Sequence, residues 1–132
     1  MDLSEGDVVT VTRTFEHRDV RQFAEATGDR GDHHLEADEA GRLLVHGLLT
    51  ASLAAEVGGR YNVLARTMTY RFRKPVYTGE TVRCATQFPT VEPREDGWEV
   101  AAELEYVRED DGAVVLTGSF DGVIRAEPSD AT

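Results

Sequence analysis

A chain of 132 residues is long enough to fold as one domain around a core that needs no staple. Its only cysteine, Cys84, cannot form an internal disulfide. Asp and Glu number 25 against 14 Lys and Arg, for a formal net charge of -11. That field opposes binding to nucleic acid or anionic membrane, and no apolar run is long enough for a membrane-spanning helix. The acidic, polar start from Met1 to Asp7 does not read as a secretory leader, so a cytoplasmic protein is expected. The acid excess, with Lys74 the only lysine, fits a surface solvated for a very salty cytoplasm, where screening weakens self-repulsion. The plainer reading is an acidic protein whose charge serves solubility.

In chain order, Val8 to Phe15 reads as a first strand. Val20, Phe23, Ala24 and Thr27 recur at three- and four-residue steps and predict a helix that Gly28 ends. The following segment to Arg42 is polar, with a weak helical turn at Ala37 to Ala40. From Gly47, one stripe of Leu49, Leu53 and Val57, flanked by Ala51, Ala54 and Ala55, predicts a long helix packed on more than one side, ended by Gly58-Gly59.

The remainder alternates as strands do. Leu64, Met68, Tyr70 and Phe72 share one parity, then Val82, Cys84, Thr86 and Phe88. Trp98 to Tyr106 and Val114 to Phe120 follow, with hairpin connections at Pro93 to Gly97 and Glu109 to Gly112. Residues Glu127 to Thr132 are expected to fray. The sum is an α+β domain over residues 1–132, with the long helix covering an antiparallel sheet. Its uncovered sheet face and edges predict a homo-oligomer.

Chemistry concentrates in Gly28-Asp29-Arg30-Gly31-Asp32-His33-His34 and in His46-Gly47. A carboxylate and imidazoles beside a core helix offer general acid and base groups. Each also has a plain structural reading, Asp29 as a turn-tying residue above all. Asp29, Asp32, His33 and His34 have metal-binding side chains, yet their spacing demands no ion, and no metal or cofactor is expected. Arg66, Arg71, Arg73 and Lys74 make a local basic stretch, suited either to a solvated strand face or to phosphates.

These motifs resemble the MaoC-like dehydratases, the (R)-specific enoyl-CoA hydratases of the hot-dog fold. Gly28-Asp29, His34 and His46-Gly47 match that family's Gly-Asp pair, loop histidine and helix-opening His-Gly, and the likeness spans Val8 to Val123. Three departures stand out. Gly31-Asp32 replaces the usual Asn-Pro, the segment from His34 to His46 is shorter than the family's, and Ala55 replaces a serine that some members carry.

The resemblance implies a curved antiparallel sheet wrapped around a long central helix. It implies a homodimer with its pocket at the subunit interface. The implied reaction is reversible hydration of a trans-2-enoyl-CoA to the (R)-3-hydroxyacyl-CoA, the coenzyme A thioester being substrate. Asp29 and His34 would share the reacting water, and an amide at or near Gly47 would meet the thioester carbonyl. His46 and His33 would border the substrate. A hot-dog thioesterase using Glu56, or a non-catalytic acyl-CoA-binding subunit, are the competing readings.

Overall fold

A computed structural model describes residues 1–126. The expected frayed segment, Glu127 to Thr132, lies outside the described residues. The elements are β1 (Val8–Thr14), α1 (His17–Thr27), α2 (Asp32–Leu35), α3 (Gly47–Ala51), α4 (Leu53–Tyr61), β2 (Val63–Phe72), β3 (Thr81–Arg94), β4 (Gly97–Arg108) and β5 (Val114–Arg125). The five strands form one antiparallel sheet in the order β1-β3-β4-β5-β2.

This architecture corrects the expected curved sheet wrapped around one long helix. The sheet is open: β1 and β2 are its two edges and do not pair with each other. The central helix is two short helices that break at Ser52. There the Ser52 hydroxyl donates to the Leu49 carbonyl and the Ala55 N–H bonds to the Ser52 carbonyl, a tighter turn than the α-helical spacing. A serine offering its backbone a local alternative is the physical reason for the break. Gly58-Gly59 does not stop α4 either; the helix runs through them and ends at Asn62, at φ 57°.

Gly28 ends α1 as expected, at φ 80°, with its N–H on the Ala24 carbonyl. At the start of α1 the Glu16 N–H donates to the Asp19 carboxylate at 2.8 Å. The expected helical turn at Ala37 to Ala40 is instead a loop tied by Asp38, whose carboxylate accepts from the Ala40 and Arg42 N–H groups at 2.9 and 2.8 Å. Those bonds, the one from Arg42 foremost, lower the Asp38 pKa.

The strand parities hold well in β3 and β4. Val82, Cys84, Thr86 and Phe88 are buried on one face, and so are Val100, Ala102, Leu104 and Tyr106. These side chains pack against Val20, Leu53 and Val57 of the helices to make the core, each fully buried aliphatic or aromatic group being worth about 1.5–3 kcal/mol. Tyr106 ties the two layers, donating its hydroxyl to the Ala51 carbonyl at 2.8 Å. Burial pushes its pKa far up, so the phenol stays neutral and available as a donor. The edge strand β2 is different: Leu64, Met68 and Phe72 are exposed. Among the described residues no helix is long and apolar enough to cross a membrane.

Candidate active site

A cleft of about 550 Å³ opens where α1, α2, α3 and the end of β2 meet. Its wall includes Asp29, His33, His34, His46 and Gly47, so the residues singled out from the sequence converge on one place. Local chemistry explains how. The left-handed turn at Gly28 directs the chain from α1 into the short helix α2, on which His34 turns inward and is buried while His33 stays exposed.

The segment that faces α2 is held as a strand-like bridge. Val45 N–H bonds the Val76 carbonyl at 2.8 Å, Thr78 N–H bonds the Leu43 carbonyl at 2.9 Å, and Leu43 N–H bonds the Thr78 hydroxyl at 3.0 Å. This fixes the Leu44 carbonyl 2.7 Å from His34 Nδ1. A carbonyl can only accept, so Nδ1 carries a proton, and in the neutral ring Nε2 is the nitrogen with the lone pair. That nitrogen faces Asp29, with Oδ2 at 3.9 Å.

Asp29 has a 58% exposed side chain. Its N–H donates to the Thr27 hydroxyl at 3.2 Å, and its carbonyl accepts from His46 Nε2 at 3.0 Å. The His46 ring stacks on that of His34, with centroids 3.7 Å apart and planes at 16°. The exposed His33 ring lies 4.0 Å from the His34 ring, a wall of the cleft.

Gly47 opens α3, and the Gly47 and Leu48 N–H groups, ahead of the first helical bonds to the His46 carbonyl, have no main-chain acceptor. A Cβ here would meet the Phe72 ring at 2.7 Å, so the glycine makes room for an aromatic side chain from the sheet edge. Sequence reasoning missed Phe72, Phe23 and Thr50 as cleft residues. Phe72 shows in the sequence as a member of a strand, and nothing local says that this strand ends over α3.

Of the basic stretch, Arg73 and Lys74 line the cleft. Arg71, Arg73 and Lys74 form no ion pair among the described residues, whereas Arg66 is committed to Glu99 and Asp121. Glu56 lies outside the cleft, paired with Arg13 at 3.6 Å and Arg60 at 3.5 Å. Asp29, His34 and His46 each offer one ligand atom, and these lie within 4.8 Å of one another.

Among solved structures, the R-hydratase PhaJ1 from Pseudomonas aeruginosa aligns with a TM-score of 0.80 at 21% identity, over 96% of this chain and 84% of that one. The (R)-hydratase from A. caviae involved in PHA biosynthesis aligns with a TM-score of 0.78 at 23% identity, over 91% of this chain and 96% of that one. The chain shares the hot-dog fold of these (R)-hydratases. A curated relative is similar as well: the mitochondrial 3-hydroxyacyl-[acyl-carrier-protein] dehydratase of Arabidopsis thaliana, 23% identical over 129 residues, 92% of this chain and 78% of the relative. No family model matches the sequence.

Proposed function

We propose that the protein is a MaoC-like hydratase that adds water to trans-2-enoyl-CoA to give (R)-3-hydroxyacyl-CoA, and runs the reverse dehydration. One observation carries the reading: the lone pair of His34 Nε2 and the Asp29 carboxylate face each other at 3.9 Å. Both are acceptors, so they repel unless a donor stands between them. A water about 2.8 Å from each subtends roughly 90° at its oxygen, close to its own H–O–H angle. Held by both protons, that water turns its lone pairs outward, toward the carbon to be attacked.

In hydration the water oxygen bonds to C3 as one of its protons passes to His34 Nε2. The C2–C3 π electrons move toward the thioester carbonyl, whose developing negative charge meets the N–H groups at the start of α3, Gly47 first. The proton taken up by His34 then passes to the Asp29 carboxylate and on to C2, which restores both side chains and completes the addition. The two side chains form one coupled acid–base pair. His33 and His46 border the substrate. Nothing in the reaction as written calls for a metal or a cofactor.

Arg73 and Lys74 support a phosphate-bearing thioester, because cations without an ion-pair partner at a cleft are unusual in so acidic a chain. Free coenzyme A thioesters of the cytoplasm suit them better than an acidic carrier protein, which the overall charge repels. The exposed Leu64, Met68 and Phe72 on an edge strand support a homodimer built on β2. Glu56, ion-paired away from the cleft, does not favour the thioesterase reading that would use it.

The test is purified protein in molar KCl with crotonyl-CoA, following loss of the enoyl absorbance and resolving the product by chiral chromatography. An (R)-3-hydroxybutyryl-CoA product is expected, with Asp29→Asn and His34→Ala each lowering kcat about 100-fold or more while remaining folded. Release of free thiol by the wild-type protein, or full turnover by both variants, would overturn the proposal.

A further inference from the structure

We infer that His46 is a positioning residue that holds Asp29, His34 and the start of α3 in one arrangement. The inference rests on the hydratase reading for what that arrangement achieves, and on the structure alone for the arrangement itself. His46 is 2% exposed, and its Nε2 donates to the Asp29 carbonyl at 3.0 Å. Its ring lies flat on His34 at 3.7 Å, with Phe23 also packed against it at 4.8 Å. It is at the same time the N-cap residue of α3, immediately before Gly47, with its carbonyl accepting from the Leu49 and Thr50 N–H groups, each at 3.0 Å. One residue, through its ring and its carbonyl, thus joins all three segments that bring groups to the water and the thioester.

The other nitrogen shows why an imidazole is there. With the proton on Nε2, Nδ1 bears a lone pair, and this atom is buried with no hydrogen-bond partner. A buried acceptor left unpaired destabilises the fold, and an apolar ring of similar shape would not carry that cost. Stability alone therefore favours phenylalanine at this position. What phenylalanine cannot supply is the donor to Asp29, whose main chain is otherwise held by the Thr27 hydroxyl at 3.2 Å and whose half-exposed carboxylate accepts only a long bond from the Gly31 N–H at 3.5 Å. Without the His46 bond, the Asp29 peptide between the Gly28 cap and the exposed Arg30–Glu25 pair loses its one buried anchor and can carry the carboxylate off the 3.9 Å separation from His34.

The experiment compares His46→Phe and His46→Gln with wild type in the full chain. The readouts are melting temperature, steady-state kinetics on crotonyl-CoA, and backbone amide exchange of residues 28–34. His46→Phe keeps the ring and removes both the donor and the orphaned acceptor. It is expected to melt at or above the wild-type temperature, with kcat lower by about 100-fold, KM within about two-fold, and faster exchange in the loop. His46→Gln, whose amide can reach the Asp29 carbonyl, is expected to regain at least about five-fold in kcat over His46→Phe and to slow the exchange again.

A melting temperature well below wild type for His46→Phe would overturn the inference, since the ring would then be structural. So would a raised KM with unchanged kcat, which would leave His46 no role beyond bordering the substrate. A glutamine variant no better than phenylalanine would also overturn it. If the wild-type protein does not turn over enoyl-CoA, the hydratase reading fails by itself. Loop exchange in the same variants then decides the positioning role: faster in His46→Phe and restored in His46→Gln supports it, and unchanged exchange refutes it.

Discussion

Gly122→Ala is the sharpest test of how the sheet presents its edge to the cleft. Gly122 sits in β5 opposite Ala65 of β2. A Cβ there would lie 2.8 Å from Ala65 Cα and 2.9 Å from the Leu64 carbonyl carbon, with the carbonyl oxygen closer still. All of these are backbone atoms, so no rotamer change relieves the clash. Carbon atoms rest about 3.5 Å apart at closest comfortable contact, so β2 must retreat by roughly 0.7 Å. A ladder bond near 2.9 Å then stretches to about 3.6 Å, where it no longer counts as a hydrogen bond.

Losing two or three such bonds costs about 2–3 kcal/mol, and replacing a strand glycine returns about 0.5–1 kcal/mol through the unfolded chain. The net is roughly 2 kcal/mol, a fall in Tm of about 6–10 °C for a domain of this size. Thermal unfolding by circular dichroism measures it, and amide exchange should localise the loss to Val63–Thr69. Alanine is the better residue in an ordinary strand, so a Tm equal to wild type or higher would refute the close approach of β2 to β5. Because β2 ends in Arg71 and Phe72, the variant should also raise KM for an acyl-CoA.

The other predictions test separate parts of the molecule. Gly47→Ala makes a nominally similar clash, at 2.7 Å, but against the Phe72 ring, a 53% exposed side chain that can swing aside. Its stability should stay within about 0.5 kcal/mol of wild type, while kcat/KM for enoyl-CoA falls as the moved ring enters the cleft; denaturant unfolding and kinetics separate the two. Asp111 is held at about 2, chiefly by its hydrogen bonds from Arg108 and then from the Ala113 N–H. A depressed carboxylate contributes stability that is present above its ordinary pKa of 3.8 and lost as pH falls toward 2. Arg108→Gln should therefore move the Asp111 titration seen by NMR up toward 3.8 and remove that part of the acid dependence. A net charge of -11 should make Tm rise between about 0.1 M and 1 M KCl, as the Debye length shrinks from about 10 Å to 3 Å; a flat or falling Tm would count against a surface suited to concentrated salt.

Much of the fold was legible because strand and helix periods are local. Val82, Cys84, Thr86 and Phe88 are buried on one face as their parity demands, and Gly28 ends α1 at the positive φ that glycine tolerates. The same reasoning failed where a short-range competitor won. Ser52 breaks the central helix through its hydroxyl, and Asn62, not Gly58-Gly59, ends α4. Reading the sheet as curled around that helix also failed, since strand parity says which side a residue faces and nothing about whether two edges meet. On β2 the alternation is present, yet Leu64, Met68 and Phe72 remain exposed, because a pattern describes the strand and not what covers it.

For the site, the sequence by itself determined which groups are present: a carboxylate and imidazoles near a helix start, in an acidic chain with a basic stretch beside them. Only the tertiary structure decided their relations. The Leu44 carbonyl selects the His34 tautomer, His46 stacks on His34 and holds Asp29, Arg66 is spent on Glu99 and Asp121, and Phe72 arrives over Gly47 from the far edge of the sheet. The physical reason is one of range. Backbone geometry imposes its periods within a few residues, whereas tautomers, stacking and ion pairs are set by atoms that meet only when distant segments pack.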